Sequence, residues 1–280
     1  MTGAGGEAED IVQETFLRAH NSGLADARNP EAYLLTVATR LCIDHLRSAR
    51  VRREQYVGPW LPEPIATNIG AERAERAWSL SMAFLLLLER LTPVERAVFL
   101  LREVFECEFG FIAEATGKSE SNCRQLFKRS KDHLQSGQAK FHATVEERTR
   151  MLNAFLAACA TGEKAALEAL LASDVQLLSD GGGKATAALN PIHGTDRVAR
   201  FLLGVQKKPW LTGAAYEVWS VNGSPAIVTF LGSRLDGVLL LECIDGRVQD
   251  VWIMRNPDKL GYLSNAKTAA STASDKHYGE

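Results

Sequence analysis

A chain of 280 residues, 46% hydrophobic and 24% charged, is long enough for about two domains with real cores. Its 32 basic against 34 acidic residues leave a net charge of −2, which excludes a uniformly basic nucleic-acid coat but not segregated basic faces. The longest apolar run, Met82 to Leu88, falls far short of the roughly 20 residues that span a bilayer. Glu7, Glu9 and Asp10 stand where a signal peptide would carry basic and then apolar residues, so a soluble cytoplasmic chain is expected. The five cysteines are scattered and never form a CxxC pair, so neither a disulfide framework nor a metal cluster is signalled.

Residues 8–56 read as two helices. The first, AEDIVQETFLRAH, puts Ile11, Val12, Phe16 and Ala19 on one face, the expected buried one, and Asp10, Gln13 and Glu14 on another. Asn29-Pro30 starts the second, as an N-cap followed by a proline whose missing N–H costs nothing there. Leu34, Val37, Ala38 and Leu41 form its apolar stripe. Between Thr36 and Val57 five arginines face two carboxylates, a basic helix end.

Pro59 to Gly70 reads as a proline-containing linker, and residues 71–141 as helical throughout. Glu108–Thr116, stopped by Gly117, and a second helix capped by Ser119 and running to about Gln135 make a helix-turn-helix pattern. Gly110 and Phe111 are expected to delay the first of these helices, since an interior glycine costs roughly 1 kcal/mol. In the second, Cys123, Leu126, Phe127, Ser130 and Leu134 fall on the core side. Ser121, Asn122, Arg124, Gln125, Lys128 and Arg129 point outward, and these are the side-chain types that read base edges and phosphates.

From Glu147 to Leu263 basic and acidic residues balance, and the pattern changes. Two helices (147–160 and 163–171) precede a strand at 175–179, a helix at about 196–205, and strands at 216–221, 226–233, 238–244 and 248–254. Asn222-Gly223, Asp236-Gly237 and Asp245-Gly246 are the expected hairpin turns. An antiparallel sheet with helices on one side is an α+β domain. The tail after Leu263 is too poor in apolar residues to fold.

AEDIVQETFLR followed by NPEAYLLTVATRLCIDHLRSARVRRE resembles region 2 of the extracytoplasmic-function (ECF) sigma factors of RNA polymerase. LERLTPVERAVFLLREVF with FGFIAEATGKSESNCRQLFKRSKDHL resembles region 4 of the same family. WLPEP at Trp60–Pro64, DGGGK at Asp180–Lys184 and NPDKL at Asn256–Leu260 resemble the marks of group 41, whose members carry a fused SnoaL-like domain. The resemblance implies a multidomain chain: two all-α sigma domains (residues 1–57 and 71–141) joined by a linker (58–70), then an α+β SnoaL-like, cone-shaped domain (147–263) and a tail (264–280). Only seven residues precede AEDIVQETF where the family carries a further amphipathic helix, so region 2 is expected to be N-terminally truncated.

The same resemblance assigns roles. The loop Asn21–Asn29 with Tyr33, Thr36 and Arg40 would face unstacked −10 bases, and Arg47, Arg50, Arg52 and Arg53 would hold phosphates. The second helix of the helix-turn-helix, with Lys118, Ser121, Asn122, Arg124, Gln125, Lys128 and Arg129, would enter the −35 major groove. Asp10, Gln13 and Glu14 would meet core RNA polymerase. The WLPEP linker (Trp60, Leu61, Pro62, Glu63, Pro64) would be the regulatory dock for DGGGK (Asp180, Gly181, Gly182, Gly183, Lys184). NPDKL (Asn256, Pro257, Asp258, Lys259, Leu260) would brace the same surface, with Pro257 stopping the last strand.

A SnoaL-like fold also raises an enzyme reading, with Asp180, Lys184, His193 and His142 as polar candidates and Trp210, Trp219, Trp252 and Met254 as pocket lining. No paired carboxylates stand at recognisable spacing, and Ala185 follows Lys184 where a phosphate loop needs Ser or Thr. The expectation is a sigma factor without catalysis, metal or cofactor, binding core polymerase and promoter DNA, whose pocket is a candidate for a small-molecule ligand. A ligand-binding or enzymatic domain on a helical tether is the competing reading.

Overall fold

The computed structural model describes residues 1–21, 29–53, 55–67, 81–138 and 143–264. Residues 22–28 of the expected −10 loop, His142, the end of the linker and most of the tail lie outside them. The chain divides into two compact units, Met1–Gln55 with Phe84–Ala139, and Tyr56–Ala83 with Lys140–Glu280. Among the described residues no helix is long and apolar enough to cross a membrane.

The first unit is all helical. Helix α1 (Gly5–Asn21) and α2 (Pro30–Arg53) pack together, with Asn29 Oδ1 accepting from the Ala32 amide (3.1 Å) at the start of α2. The face of α1 that is buried matches the expected one only at Ala19. Gly5, Thr15 and Ala19 are buried, whereas Val12 and Phe16 are 52% and 58% exposed. Small side chains let α1 and α2 approach closely, which turns the bulky pair outward. The apolar stripe of α2 is shifted too: Thr39, Ile43, Leu46 and Ala49 are buried, and Leu34, Val37, Ala38 and Leu41 only partly.

Residues 81–138 are not helical throughout. Helix α3 (Met82–Leu88) is followed by α4 (Pro93–Glu103), which opens with Thr92 and Glu95 in a reciprocal capping box. Helix α5 (Phe109–Thr116) starts on time despite Gly110 and ends at Gly117 in the left-handed region, φ 65°. Helix α6 (Glu120–Gln138) is preceded by Ser119, whose hydroxyl accepts from the Asn122 amide at 3.3 Å. Val98, Leu101, Ile112, Ala115 and Cys123 form the core between these helices, and Leu35 of α2 packs against it.

The second unit carries an α+β domain: α7 (Val145–Thr161), α8 (Lys164–Leu170), β1 (Leu171–Asp180), β2 (Ile192–His193), α9 (Thr195–Gln206), β3 (Ala214–Val221), β4 (Ser224–Leu231), β5 (Arg234–Ile244) and β6 (Arg247–Met254). The sheet order is β2-β1-β6-β5-β4-β3, with β1 parallel to β6 and every other pair antiparallel. Phe155, Leu167, Val198 and Leu202 of the helices bury against Val175, Leu177, Ile227 and Val251 of the sheet. Asn222-Gly223 and Asp245-Gly246 turn hairpins with positive φ at both positions. Asp236-Gly237 does not: it lies within β5, and the turn falls at Gly232-Ser233. Thr229 pairs with Gly237 and Phe230 with Leu235, so Asp236 is the extra residue of a β-bulge. Past β6, residues 257–264 are helical, so Pro257 opens a helix as well as ending the strand.

Candidate functional site

In the helix-turn-helix, burial of Cys123, Ser130 and Leu134 fixes the rotation of α6. Ser121, Asn122, Arg124, Gln125, Lys128 and Arg129 are left exposed along its other side, with Lys118 exposed in the turn before it. Arg124 is held upright, its guanidinium 4.5 Å from the Phe109 ring centroid and 3.0 Å from Glu120 Oε2. Such a face offers guanidinium forks, carboxamides and point charges to a groove.

The basic positions of α2 are less uniform than expected. Arg47 and Arg50 are exposed, Arg47 beside Asp44 at 3.1 Å, and the side chain of Arg52 lies outside the described residues. Arg40 donates instead to the carbonyls of Ala115 (3.2 Å) and Glu114 (2.9 Å), at the C-terminal end of α5. Arg53 sits on Glu89, which also receives Arg96 at 2.9 Å. In this arrangement Arg40, expected on the −10 bases, and Arg53, expected on phosphate, are both engaged by protein acceptors. Tyr33 is half-buried and shares a surface hollow with Arg18, Asn21, Val37 and Arg40. On α1, Asp10 and Gln13 are exposed and Glu14 pairs with Arg18 at 2.7 Å. They flank the exposed Val12, Phe16 and Leu17, of which Val12 and Phe16 were expected in the core.

In the second unit WLPEP, DGGGK and NPDKL meet. Asp180, at the end of β1 and 1% exposed, is the hub. Its Oδ2 accepts from the Leu61 amide (2.9 Å) and Lys259 Nζ (2.7 Å), and its Oδ1 from the Tyr56 hydroxyl (2.5 Å) and the Gly182 amide (3.1 Å). Lys259 Nζ also donates to the Leu61 carbonyl at 2.7 Å and lies over the rings of Trp60 (4.2 Å) and Tyr56 (4.7 Å). Asn256 Nδ2 donates to the Tyr56 oxygen at 2.7 Å, while the backbone amides of Arg255 and Asn256 bond the Asp180 carbonyl. Burial, with the Asp180 carboxylate, pushes the Tyr56 phenol far above its ordinary range, so it stays neutral, donating to Asp180 and accepting from Asn256.

The glycines of DGGGK have a specific reason. Gly182 has φ 58°, and a Cβ there would stand 2.3 Å from Asn256 Nδ2. Gly183 has φ 71° and packs against Val57. Leu61, with no exposed surface, is the buried plug of the linker, with Pro62 and Pro64 also buried. Trp60 is only half-buried, so the expected aromatic anchor serves as a lid over Lys259. Lys184 stays at the surface, 2.5 Å from Asp258.

Tyr56 was missed from the sequence, as was a second attachment of the linker. Ile65 and Thr67 bond the β3–β4 hairpin, the Asn222 amide donating to the Ile65 carbonyl (2.8 Å) and the Thr67 amide to that of Ser220 (2.9 Å). An aromatic residue just ahead of Gly58-Pro59 was the one signal available for Tyr56.

The pocket residues also need correction. A cavity of about 390 Å³ opens between α7, α9 and the sheet. Trp210 lines it; Trp219, Trp252 and Met254 do not, the last two being buried in the fold. Asp180, Lys184 and His193 are also absent from its wall, whose charged pair is Asp236 with Arg255, 2.8 Å apart.

Two family models match the helical part of the chain. Sigma-70 region 2 matches residues 1–52 and sigma-70 region 4 residues 81–134. The chain is 34% identical over 293 residues to the ECF RNA polymerase sigma factor SigJ of Mycobacterium tuberculosis H37Rv, covering 99% of this chain and 93% of that protein. It is 32% identical to the probable ECF sigma factor SigI of the same organism, over 94% of this chain and 89% of the relative. The crystal structure of M. tuberculosis SigJ superposes with a TM-score of 0.74 at 32% identity, over 93% of this chain and 92% of that one.

Proposed function

This chain belongs to the ECF sigma factors of RNA polymerase, and we propose that it directs core polymerase to promoters through two DNA-reading helical regions controlled by its α+β domain. Carrying this reading is the match of both sigma regions, in order, to helices whose exposed faces are basic and polar. Residues 1–57 act as region 2, 71–141 as region 4 and 147–263 as the regulatory domain, in the cytoplasm where polymerase works. Lys118, Ser121, Asn122, Arg124, Gln125, Lys128 and Arg129 meet the −35 element, and Tyr33, Arg40, Arg47, Arg50, Arg52 and Arg53 the −10 element. Asp10, Gln13 and Glu14 meet core polymerase, with Val12 and Phe16 adding apolar area.

Promoter engagement by region 2 then has a structural cost. Arg40 reaches the −10 bases and Arg53 phosphate only by releasing Ala115, Glu114 and Glu89, so DNA binding is coupled to separating α2 from its partners in the helical unit. The Asp180–Lys259 junction holds the linker between regions 2 and 4 against the α+β domain, and through it that domain sets the linker's path. Its role is therefore regulatory rather than catalytic, with a small ligand in its cavity as the signal.

Run-off transcription with core polymerase and the full chain tests the core of this reading. A promoter-specific transcript that disappears in Arg124→Ala is expected; no transcript with any core enzyme rejects it. The regulatory part is tested by a double-mutant cycle on Trp60 and Asp180 read out by transcription. Non-additive effects are expected, and strict additivity with unchanged activity after deletion of residues 143–280 rejects it.

A further inference from the structure

The cavity of the α+β domain carries more information than its volume. Its size lies within the roughly 300–1,000 Å³ of small-molecule sites. Phe155, Leu156 and Cys159 of α7, Leu202 of α9, and Ile227 and Leu239 of the sheet make its wall apolar. Burial pushes the Cys159 thiol up to about 11, so it stays protonated and offers no thiolate for covalent attachment.

One end of the chamber differs. The bulge in β5 aims Asp236, 8% exposed, at Arg255, which bonds it at 2.8 Å and the Thr186 carbonyl at 2.7 Å. The Arg255 guanidinium lies 3.9 Å from the Trp210 ring centroid, and its Nε is buried with no acceptor among the described residues. Arg234 also reaches Asp236, at 3.3 Å, but its head is 73% exposed and its charge belongs to solvent. Within the chamber one negative charge therefore meets one positive charge. A charged ligand would lose its hydration without finding a counterion, whereas a neutral one would not.

We propose that this cavity binds a neutral, largely apolar small molecule whose single hydrogen-bonding end lies against the Asp236–Arg255 pair. The inference deepens the ligand reading given above and rests on it only for the location. Neither residue stood out in the sequence, because Asp236-Gly237 imitates a hairpin turn.

The test titrates the full chain with Nile red, a neutral flat dye, and with 1-anilinonaphthalene-8-sulfonate, an anion. Saturable one-to-one binding of Nile red is expected, about tenfold tighter than that of the anion. Val205→Trp and Ala160→Trp each place an indole in the mouth and should weaken Nile red about tenfold or more, with unchanged melting. If one of them misfolds, the other decides. Asp236→Asn leaves Arg255 without its counter-charge and should shift preference toward the anion by about tenfold. Non-saturable binding, binding untouched by the tryptophans, or a wild-type preference for the anion would overturn the proposal. So would binding that emerges only when residues 265–280 are removed, since the chain's own end would then be the occupant. Transcription is not the readout, so failure here leaves the sigma-factor reading standing.

Discussion

The α+β domain buries two clusters of charge that obey different rules. At the linker junction Asp180 accepts four hydrogen bonds, and Lys259 divides its donors between that carboxylate and the Leu61 carbonyl beneath two aromatic rings. In the second cluster Arg148 bonds Ser224 at 2.6 Å but reaches Glu242 Oε1 only at 3.7 Å. Arg148 Nε and Glu242 Oε1 are buried without hydrogen-bond partners among the described residues. Burial pushes Glu242 up to about 7; Arg148 opposes the rise, and Asp250, paired with it across the strands, adds to it. Equal burial thus yields a fixed joint where every lone pair is met and a titratable group where they are not.

The largest expected effect comes from removing one partner at the joint. Lys259→Met leaves the Asp180 carboxylate buried without its cation, a change that costs roughly 3–5 kcal/mol in comparable pairs. Urea unfolding of the full chain should show it, and the double variant Asp180→Asn, Lys259→Met should recover part of the loss. A loss below about 1 kcal/mol in the single variant would mean that the joint is open in solution.

Second in size is a pH effect at the other cluster. The folded chain holds the Glu242 proton up to about pH 7, whereas an unfolded chain releases it near pH 4.5. Between those values the folded state binds more protons, so stability falls as pH rises, by roughly 3 kcal/mol across the window. Glu242→Gln should remove this slope and be the more stable protein at pH 8. Parallel unfolding curves for both proteins from pH 5 to 8 would reject the assignment.

How much of this was legible in the sequence depends on the kind of signal. The helix-turn-helix was readable because Gly117, Ser119 and the Cys123–Leu134 spacing are local instructions, obeyed residue by residue. The five long strands of the sheet were readable for the same reason; β2, two residues long, carries no period to detect. Asp236-Gly237 misled because a bulge and a hairpin use the same residues, and only pairing with β4 separates them. The buried face of α1 could be read only in part from hydrophobicity: Ala19 is buried as expected, but close packing chose Thr15 over Val12 and Phe16. WLPEP, DGGGK and NPDKL were visible as segments, but Tyr56 and the plug role of Leu61 are tertiary facts.

Tyr56→Phe is a finer probe of the joint. It removes one of four donors to Asp180 and the acceptor of Asn256 Nδ2 while keeping the ring beside Lys259. A hydrogen bond to a charged acceptor is worth about 1.5–3 kcal/mol, and the three remaining donors temper the loss to about 1–2 kcal/mol. An effect as large as that of Lys259→Met would make the phenol, not the ammonium, the centre of the joint.

The smallest expected effect is the most discriminating, because it falls on a lysine that the DGGGK segment itself contains. Lys184 and Asp258 lie 2.5 Å apart, but their side chains are 57% and 61% exposed. Water and salt screen such a pair, and holding two long side chains together costs entropy, so it contributes about 0–1 kcal/mol. Lys259 makes an ion pair of similar length at 2.7 Å with side chains 9% and 0% exposed. Lys184→Ala should therefore leave unfolding unchanged within about 0.5 kcal/mol and should not alter the Trp60–Asp180 coupling expected in transcription. If Lys184→Ala instead matched Lys259→Met in either measurement, the joint would extend to the surface pair, and the contrast between its buried and exposed lysines would fail.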